Sequence, residues 1–188
     1  MKKFIAVATA TLALLALSCG EEEGPTGPAP YPALDSPDHV LTNVEMSFHR
    51  RDDARLKAAL DEDAFVFYFD PWDVGEIVGN YYIPVSWTYA EFVQTCANMF
   101  AEVADLNLDI GAVGSPAPNA VTYIGSNVSY NFAVILGGQN GLSIDGGRFN
   151  FRFEKGAAGK WRLVTWRDFE AWGDEEPVSF GKILATFH

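Results

Sequence analysis

The hydrophobic period changes once along this chain, and that change limits the architecture more than any other feature. After Thr88, the residues Phe92, Cys96, Met99, Phe100 and Val103 recur on one face at helical spacing, with Glu91, Thr95, Asn98 and Glu102 opposite. From Leu106 the period becomes two, as Leu106, Leu108 and Ile110 alternate with Asn107 and Asp109. The alternation returns in Val128, Tyr130, Phe132, Val134 and Leu136, and again in Phe149, Phe151 and Phe153 against Arg148, Asn150 and Arg152. Strands with one apolar and one polar face suit an antiparallel sheet covered on one side. Helices followed by such strands predict an α+β domain with its helices on one face of the sheet.

Local signals mark the remaining elements. Ser36-Pro37 opens a first helix carrying Val40, Leu41, Val44 and Phe48, because serine caps and proline fits the first helical position. Asp52 or Asp53 starts a shorter helix with Leu56, Ala59 and Leu60, ended by Asp61-Glu62-Asp63. Phe65 to Phe69 reads as a strand buried on both faces, Asp70-Pro71-Trp72-Asp73 as a turn, and Ile77 to Val85 as a second strand. Thr88 and Glu91 form a capping box before the third helix. Turns are expected at Gly137-Gly138 to Gly141, at Asp145-Gly146-Gly147 and at Lys155 to Lys160. The last strand runs from Trp161 to Asp168, where parity puts Trp166 and Asp168 opposite Trp161 and Leu163. Ser179, Phe180, Ile183, Leu184 and Phe187 predict a short terminal helix. The segment at about 178–188 must dock on the domain or on a second copy.

With 25 acidic against 13 basic residues and a net charge of -12, the chain repels a phosphate backbone, which excludes nucleic acid as a partner. Lys2 and Lys3 precede an uncharged run, Phe4 to Leu17, that is shorter than the ~20 residues a membrane span needs. This is the pattern of a secretory signal. Ala16-Leu17-Ser18-Cys19 resembles the lipobox of bacterial lipoproteins. The resemblance implies cleavage before Cys19 and acyl chains on that residue, anchoring the protein in the bacterial cell envelope. Gly20, rather than Asp, leans toward the periplasmic side of the outer membrane. The expected organisation is therefore a signal peptide at 1–18, an acidic Pro/Gly tether at 19–36 and a single α+β domain at 37–188. Of the two cysteines, Cys19 would by this resemblance carry lipid, which leaves Cys96 without a disulfide partner.

The order of these elements, with Arg51-Asp52 between the first helices, Phe67-Tyr68-Phe69-Asp70-Pro71 in the first strand and Gly159-Lys160-Trp161-Arg162-Leu163 at the final hairpin, resembles the nuclear transport factor 2-like superfamily, including its SnoaL-like members. The resemblance implies a cone: a curved, mostly antiparallel sheet wrapped on the N-terminal helices, with an apolar pocket in its wide end. Isomerases of this superfamily place an aspartate base at the end of the first strand, where Asp70 falls. They also hold the developing oxyanion with two acidic donors. The donor positions align near Val44 and Phe149, neither of which can donate.

Isomerase activity is thus disfavoured, and Asp70 remains the single candidate base. The plainer reading of an aspartate before proline is a turn residue accepting backbone donors. Asp70, Asp73 and Glu76 lack the spacing of a calcium loop. His39, His49, His188 and Cys96 are too scattered for zinc, so no metal or cofactor is expected. Gly156 to Lys160 is a hairpin turn rather than a phosphate loop. Tyr68, Asp70, Trp87, Tyr130 and Trp166 are the candidate pocket residues for a small apolar ligand. The leading expectation is a lipid-anchored, non-catalytic binding or accessory module. Its alternatives are an isomerase, cyclase or dehydratase using Asp70, and a homodimer formed through the sheet face.

Overall fold

The structure, a computed structural model, describes residues 27–136, 141–169 and 178–188. The signal at 1–18, the attachment residue Cys19 and the Gly137-Gly138 turn lie outside the described residues. Gly27–Pro30, exposed and without regular structure, close a first unit, and Tyr31–His188 form the second.

Packing in the second unit includes Tyr31 and the residues just before Pro37. Tyr31 lies under the guanidinium groups of Arg50 and Arg55, each 4.9 Å from its ring centroid, and its hydroxyl donates to Asp52 Oδ2 at 3.1 Å. Asn43 Nδ2 donates to the Pro32 carbonyl at 2.9 Å, and the Trp161 amide donates to the Leu34 carbonyl at 2.8 Å. An aromatic ring and two satisfied carbonyls hold this stretch, which composition alone assigns to a solvated tether.

Helix α1 (Pro37–Arg50) starts on Ser36, whose side chain accepts from the His39 amide, and ends on Arg51 in the left-handed conformation at φ 53°. The side chain of Arg51 donates to the Val103 carbonyl at 2.9 Å, a tertiary bond that helps hold this unfavourable backbone. Asp52 then caps α2 (Asp53–Ala59). Strand β1 (Val66–Tyr68) is followed by β2 (Ile77–Val78), β3 (Tyr81–Tyr82) and β4 (Ser86–Thr88). The single strand expected over Ile77 to Val85 is instead a small β2–β3 ribbon and a separate β4. Gly79, at φ 59°, reverses the chain, and Pro84, which has no amide to donate, separates β3 from β4. The capping box at Thr88 and Glu91 opens α3 (Tyr89–Glu102). Thr95, expected on its polar side, is buried.

Long strands follow: β5 (Val103–Ile110), β6 (Thr122–Leu136), β7 (Leu142–Lys155) and β8 (Trp161–Phe169); helix α4 (Phe180–Ala185) is the last element. The main sheet has the order β4-β1-β8-β7-β6-β5, antiparallel except for the β1–β8 pair. Its inner face meets α1 and α3 in one core containing Val44, Phe48, Phe67, Phe92, Phe151 and Trp166. Burying each phenylalanine stabilises the fold by about 1.5–3 kcal/mol.

Two irregularities in pairing decide what faces inward. On β8, Arg152 pairs with Thr165 but Phe153 pairs with Leu163, so Val164 is an extra residue that resets the alternation. Trp161 and Leu163 therefore share the inner face with Trp166 and Asp168, correcting the parity expected for an unbroken strand. On β7, Asp145-Gly146-Gly147 is not a turn but lies within the strand, opposite a register shift between Tyr130 and Phe132. Gly146 takes φ 77° there, and a Cβ on Gly147 would stand 2.2 Å from the Tyr130 ring.

Candidate functional site

Polar groups are scarce inside this core, and three of them converge where β6, β8 and α4 meet. Asp168, 0% exposed, faces inward because of the Val164 bulge and pairs across the sheet with Phe149. Tyr130, on β6, stacks on the Phe149 ring at 3.7 Å and 6°, in the space that Gly147 leaves open. Its hydroxyl donates to Asp168 Oδ1 at 3.1 Å and accepts from the Phe180 amide at 3.2 Å. Asp168 Oδ2 accepts from the Gly181 amide at 2.6 Å. Ser179 accepts from the Lys182 amide at 2.9 Å and donates to Asp73 Oδ2. The first amides of α4, which have no partner within the helix, are thus satisfied by buried side chains.

Burial governs the acidity of this cluster. Loss of hydration pushes the Asp168 carboxyl up to about 7, against the pull of the Gly181 amide and the Tyr130 hydroxyl, and Asp73 and Asp70 add to the rise. The Tyr130 phenol is raised by burial and then by the Asp168 charge. Asp73 is raised by burial, offset in part by Ser179 and by Lys182, whose Nζ lies 3.7 Å away. Lys182 also pairs with Glu76 at 2.7 Å.

At the centre of the fold sits Phe180, 0% exposed. Its ring lies parallel to Trp166 at 5.2 Å and 9°, and edge-on to Phe132 at 5.0 Å and Phe149 at 5.4 Å, with Phe48, Phe67 and Tyr130 completing the shell. The Trp166 indole N–H is buried and has no acceptor among the described residues.

The five residues expected to share a pocket are only partly brought together. Tyr130 and Trp166 flank Phe180. Trp87 is buried further along the same face, with Nε1 donating to the Tyr81 hydroxyl at 2.6 Å and its ring against Phe67, Phe69 and His188. Tyr68 is on the outer face: Phe67 pairs with Trp166 and Tyr68 with Arg167, whose guanidinium stands 4.5 Å from the tyrosine ring. Asp70 is buried and accepts from the Trp72 amide at 2.8 Å, the contact of an aspartate turn. Val44 and Phe149, aligned with the isomerase donors, are buried and apolar.

Two residues of the cluster, Asp168 and Ser179, were not among the sequence candidates. An aspartate in phase with Trp166 on a mostly apolar strand is the signal that marks Asp168; nothing local marks its pairing with α4. Shallow surface grooves flank His188, one lined by α3 residues from Ala90 to Asn98 and one by Val78–Tyr81 with Ala185 and Thr186; neither reaches Tyr130 or Asp168. Among the described residues no group of histidine, cysteine or acidic side chains could hold a metal ion. Burial pushes the Cys96 thiol up, away from reactivity.

No family model matches the chain, and no curated protein matches its sequence. Solved structures do. A conserved protein from Planctomyces limnophilus is 14% identical, with a TM-score of 0.56 over 74% of this chain and 92% of that one. A nuclear transport factor 2-like superfamily protein from Salmonella enterica is 12% identical, with a TM-score of 0.53 over 74% and 92%. A hexachlorocyclohexane dehydrochlorinase, type 2, is 11% identical, with a TM-score of 0.50 over 75% and 84%. The chain has the nuclear transport factor 2-like fold, as the order of its motifs implied. In this chain the described interior of that fold is occupied by α4.

Proposed function

We propose that this protein is a lipid-anchored accessory module of the bacterial cell envelope, without catalysis, whose cone is closed at rest by its own C-terminal helix. The observation that carries the reading is Phe180: a side chain of the same polypeptide takes the central position in the cone, between Trp166 and Phe132. Asp70, the candidate base, is engaged in its turn, and Tyr130 and Asp168 bond each other and the first two amides of α4. The anchor rests on Lys2-Lys3, the uncharged run and Cys19, and the envelope location on the same residues. Cys19→Ala is expected to move the protein from the membrane to the soluble fraction and to abolish fatty-acid labelling. Retention of both would overturn the anchor. Turnover of an enolisable ketosteroid, lost in Asp70→Asn, would overturn the non-catalytic reading.

A second reading, a homodimer through the sheet, is favoured by Ile124 and Ile135, which are exposed on β6. Both project from the outer face. Mass measurement across a concentration series, with Ile124→Glu alongside, tests it: dimer that disappears in the variant supports this reading, and monomer throughout removes it.

A further inference from the structure

We propose that α4 is a reversible plug, and that the chamber it fills takes a flat aromatic molecule bearing a hydrogen-bond donor and an acceptor. This goes beyond the closed module described above, which stands whether or not α4 opens.

The chamber has the shape of a slot for a planar ring: Trp166 lies parallel to the Phe180 ring and Phe132 and Phe149 meet it edge-on. Its polar equipment exceeds what holding a helix requires. The polar atoms of Asp168 and Tyr130 meet α4 only through backbone amides, and the Trp166 N–H, fully buried, is left without an acceptor among the described residues. An apolar residue at 168 would avoid the cost of burying a carboxyl, and buried polar groups replaced by well-packed apolar ones are often neutral or stabilising. A ring carrying a donor for Asp168 and an acceptor for Trp166 would satisfy both, which Phe180 does not.

The plug is also built to leave. Helix α4 spans Phe180–Ala185, far shorter than a helix that persists alone. Its latch to the segment after β1 is polar: Ser179 to Asp73, and Lys182 to Asp73 and Glu76, with Lys182 and Glu76 reaching solvent. The groups facing Asp168 are Asp70 and Asp73 from that segment, Tyr130 from β6, and the α4 amides, with Lys182 beyond Asp73. When α4 leaves, the carboxyl regains water and its affinity for a proton falls, so opening is promoted as pH rises from about 4 to about 7.

Native-state hydrogen exchange on the full chain tests this, using phenol as the probe and anisole, which cannot donate, as its control. The Phe180–Ala185 amides are expected to be protected at least about 100-fold less than those of Phe149–Phe153, as a locally opening unit. Their protection factors should fall further between pH 5 and pH 8, and lose that dependence in Asp168→Asn. Phenol should lower protection in α4 while raising it in β7, and do so more than anisole; in Asp168→Leu, which has no acceptor, the two probes should act alike. Should Asp168→Asn not fold, Ser179→Ala replaces it, with α4 protection alone expected to drop. Equal protection of α4 and β7, or phenol protecting both together, would overturn the proposal.

Discussion

Asp168 loses its hydration on folding and receives one hydroxyl and one amide in return, too little to hold its charge at the ordinary carboxylate acidity. The folded chain therefore keeps this proton up to about pH 7, whereas the unfolded chain releases it near the usual value. Between those limits the folded state binds more protons, so the stability this group confers in acid is lost as pH rises from about 4 to about 7. Urea unfolding of the wild type and Asp168→Asn at pH 4.5 and 7.5 should show the wild type losing ground to the variant by on the order of a few kcal/mol. Parallel behaviour would contradict the assignment. Gly147 is the second residue with a sharp consequence. Because a Cβ there meets the Tyr130 ring, Gly147→Ala is expected to destabilise by about 3 kcal/mol, read as a lowered urea midpoint. Tyr130 was legible as an inward residue from alternation alone. Its partner Asp168, distant along the chain, was not, since only the pairing of β6, β7 and β8 brings the two together.

At the scale of elements, the helices are set by local chemistry and the strand edges by their surroundings. Ser36, Asp52 and Thr88 cap α1, α2 and α3 as their side chains dictate. The Thr88 box is reciprocal, Glu91 Oε2 accepting from the Thr88 amide at 2.7 Å. Thr88→Ala should cost about 1 kcal/mol. Phe180→Ala should cost about 3–5 kcal/mol, because it empties a site ringed by aromatic side chains. Thermal or denaturant midpoints should rank the two in that order, and near-equal losses would mean that α4 contributes little to the fold. The Val164 bulge and the break at Pro84 escape a periodicity argument, because each inserts an irregularity that the alternation of neighbouring residues does not announce.

For the whole molecule, Cys96 reports on global opening. Its thiol is buried on α3 and held protonated by burial, so labelling by a thiol reagent should be negligible in the native state and follow the population of unfolded chain across a urea titration. In a Cys19→Ala chain, whose one thiol is Cys96, fast labelling in buffer would show that α3 is accessible without unfolding. The same scale separates what the sequence by itself determined from what only the tertiary structure decided. The change of period from 3.6 to 2, the caps and the alternating phenylalanines determined an α+β domain with helices on one side of a sheet, since each is a property of neighbours along the chain. The contents of the interior were decided by long-range contacts. Phe180 fills the cone because α4 returns across β8, and Asp168 turns inward because one extra residue shifts the strand. A local pattern specifies which face of an element is apolar, but it carries no information on which distant segment will cover that face.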